Sequence, residues 1–189
     1  MSSAYNIIEV ANTHGGNVNY IMDLLNEFKE FKKKDGFGIK FQPFKYDQIA
    51  TDDYEWYKVY KELFIKDNDW KKILDKVFTT KDIWIDVFDL YGVSIIQKNL
   101  KYIYGLKLQT SILENQEVYQ ALKNVDISKL KLIINIAGRD KADIKCILKR
   151  YEALNVQELL IEVGFQAFPT KLEDSGLSKI KFLKDNYNY

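Results

Sequence analysis

Two ionisable side chains, Glu9 and Lys40, stand inside predicted β-strands near the N-terminus, where a purely structural core would have apolar residues. Glu9 belongs to the apolar segment NIIEVA, and Lys40 belongs to the segment GIKFQ. Because a charged group loses its hydration when it is buried, it needs either a compensating partner or a chemical role. Such groups serve acid–base or ion-binding chemistry, so we interpret the pair as half of a polar site. A simple ion pair at a strand end is the alternative.

Polar residues recur at the carboxyl ends of most predicted strands. The strands are predicted at residues 6–11, 38–42, 82–88, 105–110, 131–136 and 158–163, each followed by a segment of helical periodicity. The polar residues at their ends are Asn12 and His14, Lys40 and Gln42, Asp86 and Asp89, Lys107 and Thr110, Asn135, and Gln166.

Repeated strand–helix units predict an α/β fold, either an open doubly wound sheet or a (β/α)8 TIM-barrel-like fold. We favour the barrel, because its strand ends converge on one face, whereas an open sheet gathers polar residues at one switch point. Six units are two short of a closed barrel, which typically needs about 250 residues. We therefore expect residues 1–189 to form one barrel domain that is incomplete at its C-terminus. A homodimer, a complementing C-terminal segment or a reduced architecture would close it.

Composition narrows the class of protein. The formal net charge is +1, which does not indicate a nucleic-acid or membrane-surface partner. No apolar run approaches the roughly 18 to 20 residues of a membrane span, and the first residues lack a secretory signal pattern. The single cysteine, Cys146, lies in an apolar helical pattern and is predicted to be a buried thiol. These features predict a soluble, cytoplasmic protein.

Two sequence blocks in the first 45 residues resemble the N-acetylneuraminate (sialic acid) synthase family, the NeuB-like barrels. That family opens with a strand ending in Ala-Glu-Ile-Gly, then Asn-x-His-x-Gly, and its second strand is Val-Lys-Phe-Gln-Thr-Phe-Lys. The matching segments here are Ile8-Glu9-Val10-Ala11, Asn12-Thr13-His14-Gly15-Gly16 and Ile39-Lys40-Phe41-Gln42-Pro43-Phe44-Lys45. Weaker matches follow in the right order: Gly105-Leu106-Lys107, Gly138, and Phe168-Pro169-Thr170 with Glu173-Asp174.

The resemblance implies condensation of phosphoenolpyruvate with an N-acyl-aminosugar of the N-acetylmannosamine type, giving a nine-carbon sugar acid and phosphate. Lys40 and Lys107 would clamp the phosphate and carboxylate of phosphoenolpyruvate. Glu9 would be the catalytic carboxylate, which stabilises a cationic intermediate or moves a proton. The other substrate-binding residues implied are Gln42, Thr110, Asn12, His14, Gln166 and Phe168. The cofactor implied is a divalent metal, Mn2+ or Mg2+.

The chain departs from the family at several motifs. Ser-Thr-Pro-Phe after the third strand is Asp86-Val87-Phe88-Asp89 here, and the sugar-contacting glutamate after the strand-four lysine is Ile112. The family's tyrosine is Phe168, and its two metal-binding histidines match no residue of this chain. No metal site can be assembled from this sequence, and His14 is better explained as a hydrogen-bonding turn residue than as a ligand.

Three functional hypotheses follow. The first is a phosphoenolpyruvate-condensing synthase, and the second is a degenerate barrel, or pseudoenzyme, that keeps at most an anionic ligand. The third is a barrel lyase that uses Lys107 as a Schiff-base amine. For other residues we favour structural roles: Asp86 and Asp89 as strand-end carboxylates, residues 32–34 as the basic end of a helix, and residues 56–64 and 70–77 as aromatic and aliphatic core faces.

Overall fold

The computed structural model describes residues 4–164 and 169–187. Two compact units divide the chain, Met1–Leu106 and Lys107–Tyr189, and the boundary falls within the fourth strand. The prediction of a single domain stays a prediction. Within the described ranges, every helix is too short or too polar to cross a lipid bilayer.

The first unit alternates strands and helices. Its strands follow the chain order β1-β2-β3-β4 in the sheet, and the β1–β2 and β2–β3 pairs are parallel. Its elements are β1 (Asn6–Glu9), α1 (Val18–Glu27), β2 (Phe37–Phe41), α2 (Tyr46–Ile49), α3 (Tyr57–Leu63), α4 (Asp67–Val77), β3 (Asp82–Val87), α5 (Leu90–Asn99) and β4 (Ile103–Leu108), with short 3-10 helices at Lys33–Asp35 and Leu100–Tyr102.

The second unit continues the same alternation. It contains the last two residues of β4, and its strand order is β4-β5-β6 with β5 and β6 parallel. Its elements are α6 (Gln116–Lys123), β5 (Lys131–Asn135), α7 (Lys141–Glu152), β6 (Glu158–Glu162), a 3-10 helix at Leu172–Asp174, and α8 (Ser178–Asn186). The six predicted strands and the α/β class are thus confirmed, with shifts of one or two residues at most strand ends.

Short polar side chains start the helices that follow four of the strands. Asn17, Asp89, Asn115 and Asp140 each accept a hydrogen bond from a backbone N–H in the first turn of α1, α5, α6 and α7. Such N-caps satisfy donors that have no partner within the helix. Each cap fixes where the chain leaves the strand end and enters its helix, and so it determines the length of the loop that carries the site residues.

The two faces of the first-unit sheet differ in chemistry. On β2, Ile39 and Phe41 are fully buried, and the Phe41 ring meets the Trp70 ring of α4 edge-on at 5.9 Å. Because side chains alternate along a strand, Lys40 lies on the opposite face, together with its register partners Glu9 and Trp84. The helix-covered face is therefore apolar, and the ionisable residues share the other face.

An aromatic layer fills that second face at the amino ends of the strands. Trp84 donates its indole N–H to the Tyr5 hydroxyl over 3.0 Å, and the Tyr5 and Tyr104 rings stack at 6.2 Å. Glycines make room for it: a Cβ on Gly105 would come within 2.4 Å of the Trp84 ring, and one on Gly38 within 2.5 Å of the Tyr5 hydroxyl. Only glycine, which has no Cβ, leaves room for the Tyr5 and Trp84 side chains at these two positions.

Several local predictions are wrong. Residues 32–34 are not the end of α1, which stops at Glu27; part of this basic run forms a separate 3-10 helix. Cys146 is exposed rather than buried. The core face predicted for residues 70–77 is confirmed by the burial of Trp70, Ile73, Leu74 and Val77. The face predicted for residues 56–64 is confirmed only in part: the Tyr60 and Phe64 rings are half-buried and pack edge-on against Phe44 and Tyr46, whereas Trp56 is 52% exposed.

Candidate active site

Lys40 lies between two carboxylates at the carboxyl end of β2. Its Nζ is 2.6 Å from Glu9 Oε2 on β1 and 3.3 Å from Asp86 Oδ2 on β3. The Lys40 side chain is 7% exposed, and Asp86 is fully buried. Burial alone would lower the pKa of Lys40, but the Asp86 and Glu9 carboxylates outweigh burial and raise that pKa above its usual value. Lys40 therefore keeps its proton up to a higher pH than an unpaired lysine.

Glu9 is the accessible member of this group, with 41% of its side chain exposed. Its Oε1 accepts the backbone N–H of Ala11 over 3.1 Å, while Gln42 Nε2 approaches the same oxygen at 3.4 Å. Ala11 adopts a positive φ of 47°, so the chain turns sharply just after β1 and brings its N–H back to the carboxylate. These two donors orient the Glu9 carboxylate so that its other oxygen contacts Lys40. We call Glu9, Lys40, Gln42 and Asp86 the first-unit cluster.

The loop after β1 is fixed by His14. This buried imidazole accepts the Gly16 backbone N–H at Nδ1 over 2.9 Å, and burial lowers its pKa. Gly16 has a φ of 76°, and a Cβ there would lie 1.9 Å from the Glu62 carbonyl oxygen, so only glycine fits. Within the described part of the chain, His14 Nε2 and Asn12 Oδ1 are buried without a hydrogen-bond partner. His14 thus lies in the loop as a neutral ring that holds the turn.

Asp89 lies outside the first-unit cluster and serves the backbone. One carboxylate oxygen accepts the Lys45 N–H and the other accepts the Gly92 N–H, both over 2.7 Å. Burial raises the pKa of Asp89, and these backbone donors oppose the increase. The structural role that we predict for Asp89 agrees with these contacts, whereas Asp86 contacts Lys40 directly.

The second unit has its own charged group. Lys107 Nζ on β4 is 2.7 Å from Glu162 Oε2 on β6, with the two side chains 10% and 37% exposed. Asn135 on β5 is the register partner of Glu162 and is 1% exposed. Its Oδ1 accepts the Ala137 backbone N–H over 2.7 Å. We call Lys107, Asn135 and Glu162 the second-unit cluster.

Thr110 is bonded to protein groups and not to Lys107. Its hydroxyl donates to the Ala137 carbonyl over 3.0 Å and accepts from Arg139 Nε over 3.1 Å. Arg139 also contacts the Thr110 carbonyl at 2.9 Å and Glu114 at 2.6 Å. This network ties the loop after β4 to the loop after β5, so it positions backbone and leaves Thr110 with its hydroxyl already engaged.

The predicted site residues thus occur in both units. Glu9, Lys40 and Gln42 come together, and Asn12 and His14 occupy the adjoining turn of the same unit. Lys107 lies in the second unit, and Gln166 and Phe168 fall outside the described residues. Sequence reasoning missed the partnership of Asp86 with Lys40 and the whole role of Glu162. The sequence did show that each acid lies inside or at the end of a predicted strand, but it did not show which lysine on another strand each acid contacts.

The divalent metal implied by the resemblance does not fit the donor set. Among residues 4–164 and 169–187, no three His, Cys, Asp or Glu side chains come together in a group that holds a metal ion. Lys40 already occupies the space between Glu9 and Asp86. We therefore assign no chemical step to a metal.

Comparison with known proteins gives likeness of fold. No protein-family model matches the chain, and no curated protein matches it significantly. Among solved structures, N-acetylneuraminic acid (sialic acid) synthetase from Leptospira borgpetersenii, in complex with citrate, has a TM-score of 0.81 at 18% identity, covering 100% of this chain and 63% of that one. Spore coat polysaccharide biosynthesis protein E of Chromobacterium violaceum gives 0.78 at 20% identity, covering 96% and 55%.

A third structure agrees with these two. Spore coat polysaccharide biosynthesis protein SpsE of Bacillus subtilis has a TM-score of 0.73 at 18% identity, covering 97% of this chain and 50% of that one. This chain therefore spans between 50% and 63% of the length of the three proteins. At such low identity the likeness establishes the fold alone. The chain has an α/β fold consistent with part of a TIM-barrel-like structure, and its solved neighbours are a sialic acid synthetase and polysaccharide biosynthesis proteins.

Proposed function

We propose that this chain is a sugar-biosynthesis enzyme of the sialic-acid-synthase type, which condenses phosphoenolpyruvate with an N-acyl-aminosugar. The observation that carries the proposal is the Glu9–Lys40 pair, register partners on adjacent parallel strands with a 2.6 Å contact at the carboxyl end of the sheet. Active sites of barrel enzymes are built at that end. The fold neighbours support the same class of chemistry.

Lys40 is the group that would hold the anionic substrate. Its two carboxylate partners differ, because Asp86 is fully buried while Glu9 is 41% exposed. An exposed partner is displaced at much lower free-energy cost than a buried one. In the proposed complex, the phosphate or carboxylate of phosphoenolpyruvate replaces Glu9 on Lys40, and Asp86 keeps the ammonium in place.

Glu9, once displaced, acts on the reacting carbon. The C3 carbon of phosphoenolpyruvate forms a bond to the sugar aldehyde carbon, and positive charge develops at C2. The Glu9 carboxylate, still oriented by the Ala11 N–H, stabilises that charge. The electron pair of the aldehyde C=O passes to its oxygen, which becomes an alkoxide. Water then adds to C2 and gives one proton to Glu9, which passes a proton on to that alkoxide. The bond between C2 and the phosphate oxygen breaks, the C2 hydroxyl loses its proton to become the ketone of the sugar acid, and inorganic phosphate leaves with that proton.

A second candidate is a non-catalytic barrel that binds a ligand without turnover. The observation that favours it is that carboxylates already compensate the charge of both lysines predicted to bind anions. Lys40 contacts Glu9 and Asp86, and Lys107 contacts Glu162. A lysine whose charge is already compensated attracts a phosphate less strongly than a free one.

Phosphate release from phosphoenolpyruvate, N-acetylmannosamine and Mn2+ distinguishes the two candidates. The synthase proposal expects turnover that falls at least about a hundredfold in Lys40→Ala and Glu9→Gln, in line with the loss of charge stabilisation and acid–base help. Lys34→Ala, an exposed lysine outside both clusters, is the matched control. Absence of turnover with phosphoenolpyruvate binding that depends on Lys40 would favour the second candidate. Absence of both would overturn the two together.

A further inference from the structure

The Asn135 side chain has a hydrogen-bonding need that the described residues do not meet. Its Oδ1 accepts the Ala137 N–H, which fixes the orientation of the amide, and its Nδ2 is buried without a partner in the described ranges. Asn135 is 1% exposed. Buried polar atoms are nearly always paired in native proteins, so an orphaned amide donor indicates a bound water or ligand group.

Glu162 lies beside this amide. The two residues are register partners on adjacent parallel strands, whose backbones are about 4.8 Å apart, and their side chains share one face of the sheet. Glu162 is 37% exposed, so the place next to Asn135 is reachable from solvent. Its carboxylate contacts Lys107, and the remaining lone pairs can accept a further hydrogen bond.

The charge of the second-unit cluster argues against a phosphate. Lys107 and Glu162 form a 2.7 Å ion pair with no net charge, and Asn135 adds none. The unmet needs are one acceptor for Asn135 Nδ2 and one donor for the Glu162 carboxylate. A hydroxyl group supplies both at a single oxygen atom. A carboxylate has no proton to give Glu162 at neutral pH, and a phosphate would add negative charge next to the Glu162 carboxylate.

We propose that Lys107, Asn135 and Glu162 form a subsite that binds a hydroxyl group of a neutral polyol, such as a single sugar. This assignment rests on the proposed function in so far as it identifies where the sugar substrate binds, and it replaces the role of Lys107 as a phosphate clamp. Asn135 donates to a ligand hydroxyl, that hydroxyl donates to Glu162, and Lys107 holds the Glu162 carboxylate in position.

Binding of N-acetylmannosamine and of mannitol, followed by NMR of 15N-labelled protein without phosphoenolpyruvate, tests the subsite. The side-chain amide resonances of Asn135 should shift in a saturable way with either polyol. Glu162→Gln and Asn135→Asp should each weaken polyol binding about five- to tenfold, as expected for one net hydrogen bond. Asn135→Asp keeps an acceptor for the Ala137 N–H, so a loss there reports the missing donor together with the added negative charge.

Glu158→Gln is the matched control, because Glu158 lies on the same strand face and pairs with Lys131 at 2.7 Å, away from Asn135. It should leave polyol binding unchanged. Inorganic phosphate should bind more tightly to Glu162→Gln than to the wild type, since Lys107 then loses its carboxylate.

Unshifted Asn135 resonances at saturating polyol, or equal polyol affinity in all three variants, would overturn the subsite and leave water as its occupant. Turnover is measured separately, so polyol binding without phosphate release would contradict the synthase proposal and leave the subsite intact. Phosphate release with no polyol effect at Asn135 would do the reverse.

Discussion

Glu9 and Lys40 face each other across the β1–β2 pair, and their side chains meet at 2.6 Å where both strands end. Asp86 approaches Lys40 from β3 on the other side. One ammonium group therefore links three consecutive strands on the polar face of the first unit. Because the three strands are parallel, this link needs no loop and is set by register alone.

Loss of the Lys40 charge should destabilise the first unit strongly. Lys40→Met removes the cation beside the fully buried Asp86 carboxylate, and breaking a buried pair costs roughly 3–5 kcal/mol. Glu9→Gln should cost less than about 1 kcal/mol, because Glu9 is half exposed. Urea unfolding measures both. Lys71→Met, which breaks the exposed Lys71–Asp75 pair, is the control and should be near neutral; equal losses in all three variants would contradict the central role of Lys40.

The same ion pairs make stability depend on alkaline pH. The pKa of Lys40 is raised by Asp86 and Glu9 against the effect of burial. Its contribution to the free energy of unfolding is therefore complete below the unfolded-state pKa of about 10.4 and is lost as pH rises through the higher folded-state pKa. Burial also raises the pKa of Tyr5 and of Tyr91, so their contributions to stability are likewise lost as the pH rises. The measurement is therefore the free energy of unfolding of the wild type minus that of Lys40→Met, followed as a function of pH. This difference should decrease as the pH rises above about 10.4.

His14, the single histidine of the chain, should titrate below its usual range. Burial lowers its pKa, so stability is complete above the unfolded-state value of about 6.5 and falls as pH decreases through the folded-state pKa. An NMR titration of this one imidazole gives the value directly. His14→Asn keeps an acceptor near the Gly16 N–H and should flatten the acid side of the stability profile. A midpoint at or above the ordinary value would refute the prediction.

The aromatic layer predicts a contrast between two glycines. Gly105→Ala would place a methyl group 2.4 Å from the Trp84 ring, and such overpacking costs about 1–3 kcal/mol. A Cβ on Gly164 meets no atom of residues 4–164 or 169–187 within 4 Å, so Gly164→Ala should change stability by less than about 0.5 kcal/mol. Thermal unfolding followed by tryptophan fluorescence measures both, and a shift in the folded-state emission is expected for Gly105→Ala alone.

Local patterns were sufficient to predict the six strands, including the two that carry Glu9 and Lys40. Strand alternation is a short-range property, and N-caps such as Asp89 are encoded next to the helix that they start. The partners of a charge are not local: Asp86 is 46 residues from Lys40, and Glu162 is on a different strand from Lys107. Their pairing depends on register, which a single sequence does not specify.

Two errors have a related cause. The aromatic residues at 56–64 have helical spacing, but full burial needs a second surface. Tyr60 and Phe64 are half-buried, and Trp56, just before α3, is 52% exposed. The basic run at residues 32–34 looked like a helix end, yet Gly36 adopts a left-handed conformation with a φ of 82° and helps to close a separate turn before β2. In both cases the local pattern was interpreted correctly, but contacts with distant parts of the chain determined the final structure.

The Tyr5–Trp84–Tyr104 layer has a consequence for how this protein can diverge. It supports the amino ends of the first-unit strands with apolar packing, at a distance from the loops that carry Asn12, His14 and Gln42. Substitutions in those loops can therefore accumulate without removing the packing that holds the sheet. A lineage built in this way can exchange one reaction for another, or lose turnover altogether, while the scaffold stays recognisable long after the sequence does not.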